Sequence, residues 1–190
     1  MIVTDTLAFL MVFIPAVLNL GILVYLFFLP KRGYTNNFAL IIIALLMWQV
    51  EDIMSRTLVH EHQIQFWDRM MSMGWIAMAP LIFQFAIKFS TQRLSGNSHW
   101  NILIYLPFAI FYMIYVGNPE LPDFIHHPFW GWISQPRPGT LDVIQRHVIS
   151  VVIFVSTGIL LRHYFNNRFS STRKRMQALI ISVGLLIPTL

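Results

Sequence analysis

The chain has 190 residues, of which 56% are hydrophobic and 11% charged, and its mean hydropathy is +0.63. A soluble domain carries roughly 25% charged residues, so burial in an ordinary water-soluble core is excluded and lipid is the expected surrounding. The formal charge of +5 sits beside apolar stretches, where anionic lipid and not nucleic acid is the natural partner, and the absence of Cys rules out disulfides, Cys-ligated zinc and thiol catalysis.

Six apolar segments follow in order. The first runs from about Thr6 to Leu29 and stops at Pro30-Lys31-Arg32-Gly33; its basic residues follow the apolar stretch, which excludes a cleavable signal peptide. The second, about Asn36 to Arg56, turns polar at its far end with Gln49, Glu51 and Asp52. A short loop, Thr57 to Gln65, leads to the third, about Phe66 to Phe89. The fourth spans about Trp100 to Val116 and ends at Asn118-Pro119. The connection from Gly117 to about Asp142 holds five Pro and two Trp, too broken to span and too aromatic for a free linker. The fifth segment, about Val143 to Phe165, precedes a basic run from Arg168 to Arg175, and a sixth starts near Met176. That last stretch is shorter than the ~20 residues of a comfortable crossing, so a seventh helix is expected after Leu190. The reading is all-α: one polytopic transmembrane bundle over residues 1–190, truncated at its C-terminal end.

Drawn this way, all eight acidic residues (Asp5, Glu51, Asp52, Glu61, Asp68, Glu120, Asp123 and Asp142) fall on one side of the membrane. Nine of the thirteen Lys and Arg fall on the other, giving +9 there against −4, since only Arg56, Arg69, Arg137 and Arg146 accompany the acids. Basic residues in short loops stay in the cytoplasm. The expected placement is therefore multi-pass in the cell inner (plasma) membrane, with the amino terminus outside and the main basic loops inside.

The third segment carries Trp67-Asp68-Arg69, Met73-Gly74-Trp75 and Ala79-Pro80-Leu81-Ile82-Phe83-Gln84-Phe85-Ala86. With Phe38 and Trp48 in the second segment, Gly117-Asn118-Pro119 and His126-His127-Pro128-Phe129-Trp130 after the fourth, and Arg175-Met176-Gln177-Ala178, Gly184 and Pro188 in the sixth, the whole chain resembles the N-terminal seven-transmembrane sensor region of bacterial histidine kinases. Similar regions are also fused to diguanylate cyclases. The resemblance implies signal transduction in a two-component system, with a cytoplasmic output domain, a response regulator and a homodimer as partners. No residue here is a phosphoacceptor His or an ATP site.

Ionisable groups inside a membrane cost on the order of 3 kcal/mol on insertion scales and so raise functional hypotheses. Trp48, Asp52 and Arg56 share one helix face, and Asp52 and Arg56 suit a simple ion pair as well as a ligand contact. Glu51 lacks a same-helix partner of opposite charge and suits a cation or polar ligand. Arg69, across the short loop, is expected to pair with Glu51 or Asp52. Met70, Met73, Ala77, Pro80, Gln84 and Lys88 recur at spacings of three and four and are expected to face the interior, as packing or as an adaptable pocket wall. Asn19 and Gln49 are expected to find partners across helices. His60, His62, His126 and His127 bring imidazoles to the outer surface, weak candidates for a metal site because their spacing matches no metal signature; interfacial packing of Phe124, Phe129, Trp130 and Trp132 is the plainer account of the second group.

The candidate signal site thus comprises Trp48, Glu51, Asp52, Arg69, Met73, His126, His127 and Trp130, between the outer halves of segments two, three and five and the fourth connection. A small molecule or a lipid-like compound is the expected signal. No metal, cofactor or catalytic residue is assigned, since no Ser, Thr and His gather at membrane depth and no carboxylate pair faces a soluble cleft. A transporter or channel subunit is the rival reading. It would want matched broken helices at the midplane, and Pro15, Pro80 and Pro107 form no evident pair.

Overall fold

The computed structural model describes residues 2–29, 33–58, 60–91, 98–118, 123–135 and 141–166. Five helices, α1 (Ile2–Phe27), α2 (Gly33–Thr57), α3 (Glu61–Thr91), α4 (Ser98–Gly117) and α5 (Leu141–Asn166), take up the first five apolar segments with their ends moved by a few residues. The sixth segment and the basic run before it lie outside the described residues. Lipid offers the backbone no hydrogen bonds, so an apolar run of this length has to satisfy its own as a helix. Among the described residues four stretches are long and apolar enough to cross a bilayer, Thr6–Phe27, Thr35–Thr57, Glu61–Ser90 and Val143–Phe165, and α4 adds a shorter apolar stretch, Ile102–Gly117.

The central element is α3, which packs against α2, α4 and α5, while α1 leans chiefly on α2. Burial follows this order: 67% of the apolar window of α3 is buried inside the bundle, against 6% for α1. The outer faces of α1 carry Leu10, Phe13, Val17, Leu18 and Phe27, which suits lipid contact. The core joins Trp75, Ile76, Met78, Ala79, Ile82 and Phe85 of α3 to Ile41 and Ala44 of α2, Phe108 and Tyr115 of α4, and Ile149, Ile153 and Leu160 of α5.

Small residues let membrane helices approach, because packing and not water exclusion holds them together. Gly74 is a point of close approach between α2 and α3: a Cβ there would lie 2.5 Å from the Ala44 carbonyl oxygen and 2.9 Å from Met47 Cβ. Polar side chains add cross-ties. Asn19 Nδ2 donates to Gln49 Oε1 at 3.1 Å, so these two residues are partners across α1 and α2. Toward the end of the bundle formed by the start of α2 and the end of α3, Gln84 Oε1 accepts from both Asn37 Nδ2 and the Tyr105 hydroxyl. Lys88 Nζ donates to Asn37 Oδ1 at 3.0 Å, completing a network that links α2, α3 and α4.

The long connection is not irregular throughout. It contains a β-hairpin, β1 (Asp123–His127) and β2 (Gly131–Gln135), paired antiparallel with Phe124 opposite Ser134 and His126 opposite Trp132. The three-residue turn closes on Gly131, whose φ of 74° is the left-handed conformation such loops require at that place. His127 Nδ1 accepts from the backbone N–H of Phe129 at 3.1 Å and of Trp130 at 3.2 Å, fixing the turn from inside.

The hairpin is fastened to the ends of α2 and α5. Trp132 Nε1 donates to the Leu58 carbonyl at 3.2 Å, and Arg146 Nη2 donates to Ser134 Oγ at 3.2 Å. Gly131 lies so close to α2 that a Cβ would stand 2.5 Å from the Ser55 carbonyl oxygen. The hairpin thus closes one end of the bundle.

Candidate functional site

Under the hairpin lies a cavity of ≈ 360 Å³, with walls from α2, α3, α5 and both strands. α2 presents Trp48, Glu51, Asp52, Ser55 and Arg56; these positions fall on the face turned to α3 because the helix period brings i and i+4 together. α3 contributes Ile64, Trp67, Asp68 and Trp75, the hairpin Phe124, Trp130 and Trp132 with Ile133 and Ser134, and α5 Arg146, Ile149 and Ser150. The result is a chamber lined by six aromatic rings, three carboxylates and two guanidinium groups.

Each charged group has a distinct surrounding. Asp68 is buried and accepts from the Tyr115 hydroxyl at 2.7 Å, which ties α3 to α4. Arg146 sits with its guanidinium 5.4 Å from the Trp75 ring centre while bonding to Ser134 of the hairpin. Trp75 is held in place by an edge contact with Tyr115, ring centres 5.6 Å apart. Arg56 lies 5.3 Å from the ring centre of Trp130 and within electrostatic reach of Asp52. Glu51 is flanked by Asp68, Asp52 and Arg146. Its Oε2 is sealed from water and has no hydrogen-bond partner, and the same holds for Nε and Nη1 of Arg56. Gln145, next to Arg146, is buried and donates to the Phe111 carbonyl at 2.9 Å, which locks the start of α5 against α4.

A model of the family described as the N-terminal 7TM region of histidine kinase matches residues 11–190. The chain belongs to this family. It is accordingly a multi-pass membrane protein of the sensor input kind found at the N-terminus of histidine kinases. Searches of curated proteins and of solved structures find no match. All the residues lining the cavity, from Trp48 to Ser150, fall within the matched range.

Of the eight residues named from the sequence, the cavity brings together Trp48, Glu51, Asp52 and Trp130 and leaves out Arg69, Met73, His126 and His127. Arg69 was expected to pair with Glu51 or Asp52. The inward position at the start of α3 belongs instead to its neighbour Asp68, and the guanidinium beside Glu51 is that of Arg146 from α5. One residue along a helix is a turn of about 100°, enough to take Arg69 off the cavity wall. The expected interior stripe is corrected in the same way. Met70 and Met73 are each 50% exposed, and the inward face near the hairpin is Ile64, Asp68, Ser72 and Trp75, while Pro80 and Gln84 are buried where α3 is surrounded on all sides.

His127 is spent on the turn and His126 meets the edge of Trp132 at 5.2 Å between ring centres, both on the exposed hairpin. His60 and His62 stack on each other at the α2–α3 corner, 5.6 Å apart. Among the described residues no three His, Cys, Asp or Glu side chains gather so as to hold a metal ion.

Among the cavity-wall residues that reasoning from sequence did not assign to the site are Asp68, Trp75 and Arg146, with Tyr115 standing behind Asp68 and Trp75. The available signal for Arg146 was charge: it stands at the start of the fifth segment, level with the acids that end the second.

Proposed function

We propose that the chain is the signal-sensing input domain of a two-component sensor kinase of the bacterial inner membrane, with its amino terminus and hairpin outside and its basic loops in the cytoplasm. The sensing site is the roofed cavity. A small molecule or lipid-like compound entering it changes the fit between α2, α3 and α5, and the change passes along these helices to a cytoplasmic output domain and its response regulator. Homodimerisation is the arrangement that suits such a relay.

The observation that supports this best is the composition of the cavity wall: its charged and aromatic side chains come from three helices and from the hairpin, so one occupant touches every element that has to move. Interface shifts of about 1–2 Å are the usual currency of such switching. The test uses the full-length protein in its native membrane, with a transcriptional reporter of the response regulator. Trp48→Ala and Asp52→Asn should fix the output high or low with expression near normal, while Met113→Ala, an exposed position on α4 outside the cavity lining, should respond as the parent does. Unchanged signalling in both cavity variants would remove the cavity from the relay.

A further inference from the structure

The cavity has three carboxylates, Glu51, Asp52 and Asp68, and two guanidinium groups, those of Arg56 and Arg146. Both cations already have company: Arg146 bonds Ser134 and faces Trp75, and Arg56 faces Trp130 beside Asp52. Asp68 is held by Tyr115. The least compensated carboxyl group is therefore Glu51, which lies against Asp68 in a side-chain hydrogen bond, with Asp52 also in reach and Arg146 as the one cation acting on it, and whose Oε2 has no partner. Carboxyl groups this close cannot all ionise cheaply in a low-dielectric site, and a cation placed against them removes that cost.

The kind of cation follows from the rest of the wall. No three acidic or imidazole groups among the described residues converge as metal ligands. Aromatic rings instead dominate the lining, and the faces of Trp attract ammonium groups, with a larger gain where the site is dry. The volume of ≈ 360 Å³ lies at the small end of the range for sites that enclose small molecules. We propose that the cavity binds a small organic monocation, an amine or quaternary ammonium, with its charge against Glu51 and its carbon skeleton against Trp48, Trp67 and Trp132. This rests on the cavity being the sensing site and adds the chemical class of what it senses.

Five of the six Trp line the cavity, so intrinsic fluorescence reports directly on its occupancy. The protein in lipid nanodiscs is titrated with phenethylammonium and with tetraethylammonium, against 2-phenylethanol as the neutral analogue and sodium chloride at equal ionic strength. A saturable change is expected with the ammonium probes, at least 10-fold weaker with the alcohol and absent with salt. Glu51→Gln should weaken ammonium binding at least 10-fold, and Glu51→Asp, which keeps the charge, should retain most of it. Equal response to alcohol and ammonium, no saturable response to either ammonium probe, or full binding by Glu51→Gln would each overturn the proposal. Were Glu51→Gln not to fold, the comparison of ammonium with alcohol on the parent protein decides alone. Failure of the sensing reading looks different: ammonium binding in nanodiscs with no effect on the reporter in cells would leave the ligand class standing and remove its role as a signal, whereas cavity variants that alter output without any ammonium binding would do the opposite.

Discussion

Gly74 allows the close approach of α2 and α3. A methyl group there meets backbone of the facing helix at Ala44 and Trp48, atoms that cannot swing aside as a side-chain tip can. Overpacking of this kind costs about 1–3 kcal/mol, so Gly74→Ala should lower the thermal midpoint in detergent by several degrees, and a midpoint equal to the parent's would show that the helices are free to part. Tyr115→Phe probes the other side of the site. It removes the donor at 2.7 Å from Asp68 and loosens the edge contact that holds Trp75. A loss of about 1–2 kcal/mol is expected, at the upper end for membrane hydrogen bonds, and pairing it with Asp68→Asn should cost less than the sum of the two single changes. Strict additivity would mean that the two groups do not depend on each other. These positions mark the limit of legibility at this scale. That Glu51 and Asp52 belong to a polar cluster was readable, because charges in an apolar segment stand out. Which of Asp68 and Arg69 faces them was not, since both are charged, they are adjacent, and the polar residues of the first turns of α3, Glu61, His62, Gln63 and Gln65, are scattered around the helix and give no single polar face from which to take its rotation.

At the scale of elements, the helices were legible and the hairpin was not. Long apolar runs in lipid admit one secondary structure, and their ends are marked by Pro, Gly and basic residues. Asp123–His127 and Gly131–Gln135 are five residues each, with mixed polarity and no clean alternation, so nothing in their pattern separates a strand from an aromatic loop. What the sequence did carry was the restriction of backbone freedom by Pro and the apolar area of Phe124, Trp130 and Trp132, which together argue for docking. Docking through Trp132, Ser134 and Gly131 makes a definite expectation for proteolysis. Thermolysin acting on the protein in nanodiscs should spare the segment 123–135 for as long as the helices survive, and Gly131→Val should expose it to early cutting, because a branched side chain both rejects a φ of 74° and collides with Ser55. Equal cutting rates in parent and variant would show that the hairpin does not depend on that contact.

For the whole molecule, the fold and the charge pattern make one statement together. The hairpin, the cavity and the ends of α2 and α5 that carry Glu51, Asp52 and Arg146 share one end of the bundle, while the network of Asn37, Gln84, Lys88 and Tyr105 lies toward the other. A sensor of an external compound would have the first end outside, and the excess of Lys and Arg in the opposite loops argues for the same orientation independently. The chain contains no Cys, so single-Cys variants report position against a silent background. His60→Cys, at the exposed turn between α2 and α3, should react with a membrane-impermeant maleimide in intact cells whose outer membrane has been opened. Ser171→Cys, within the basic run, should react only after the inner membrane is lysed. Were labelling reversed, the charge argument and the external site would fail together. Were both positions to label in intact cells, the bundle would not separate two compartments in the order given, and the cavity could not be assigned to either side.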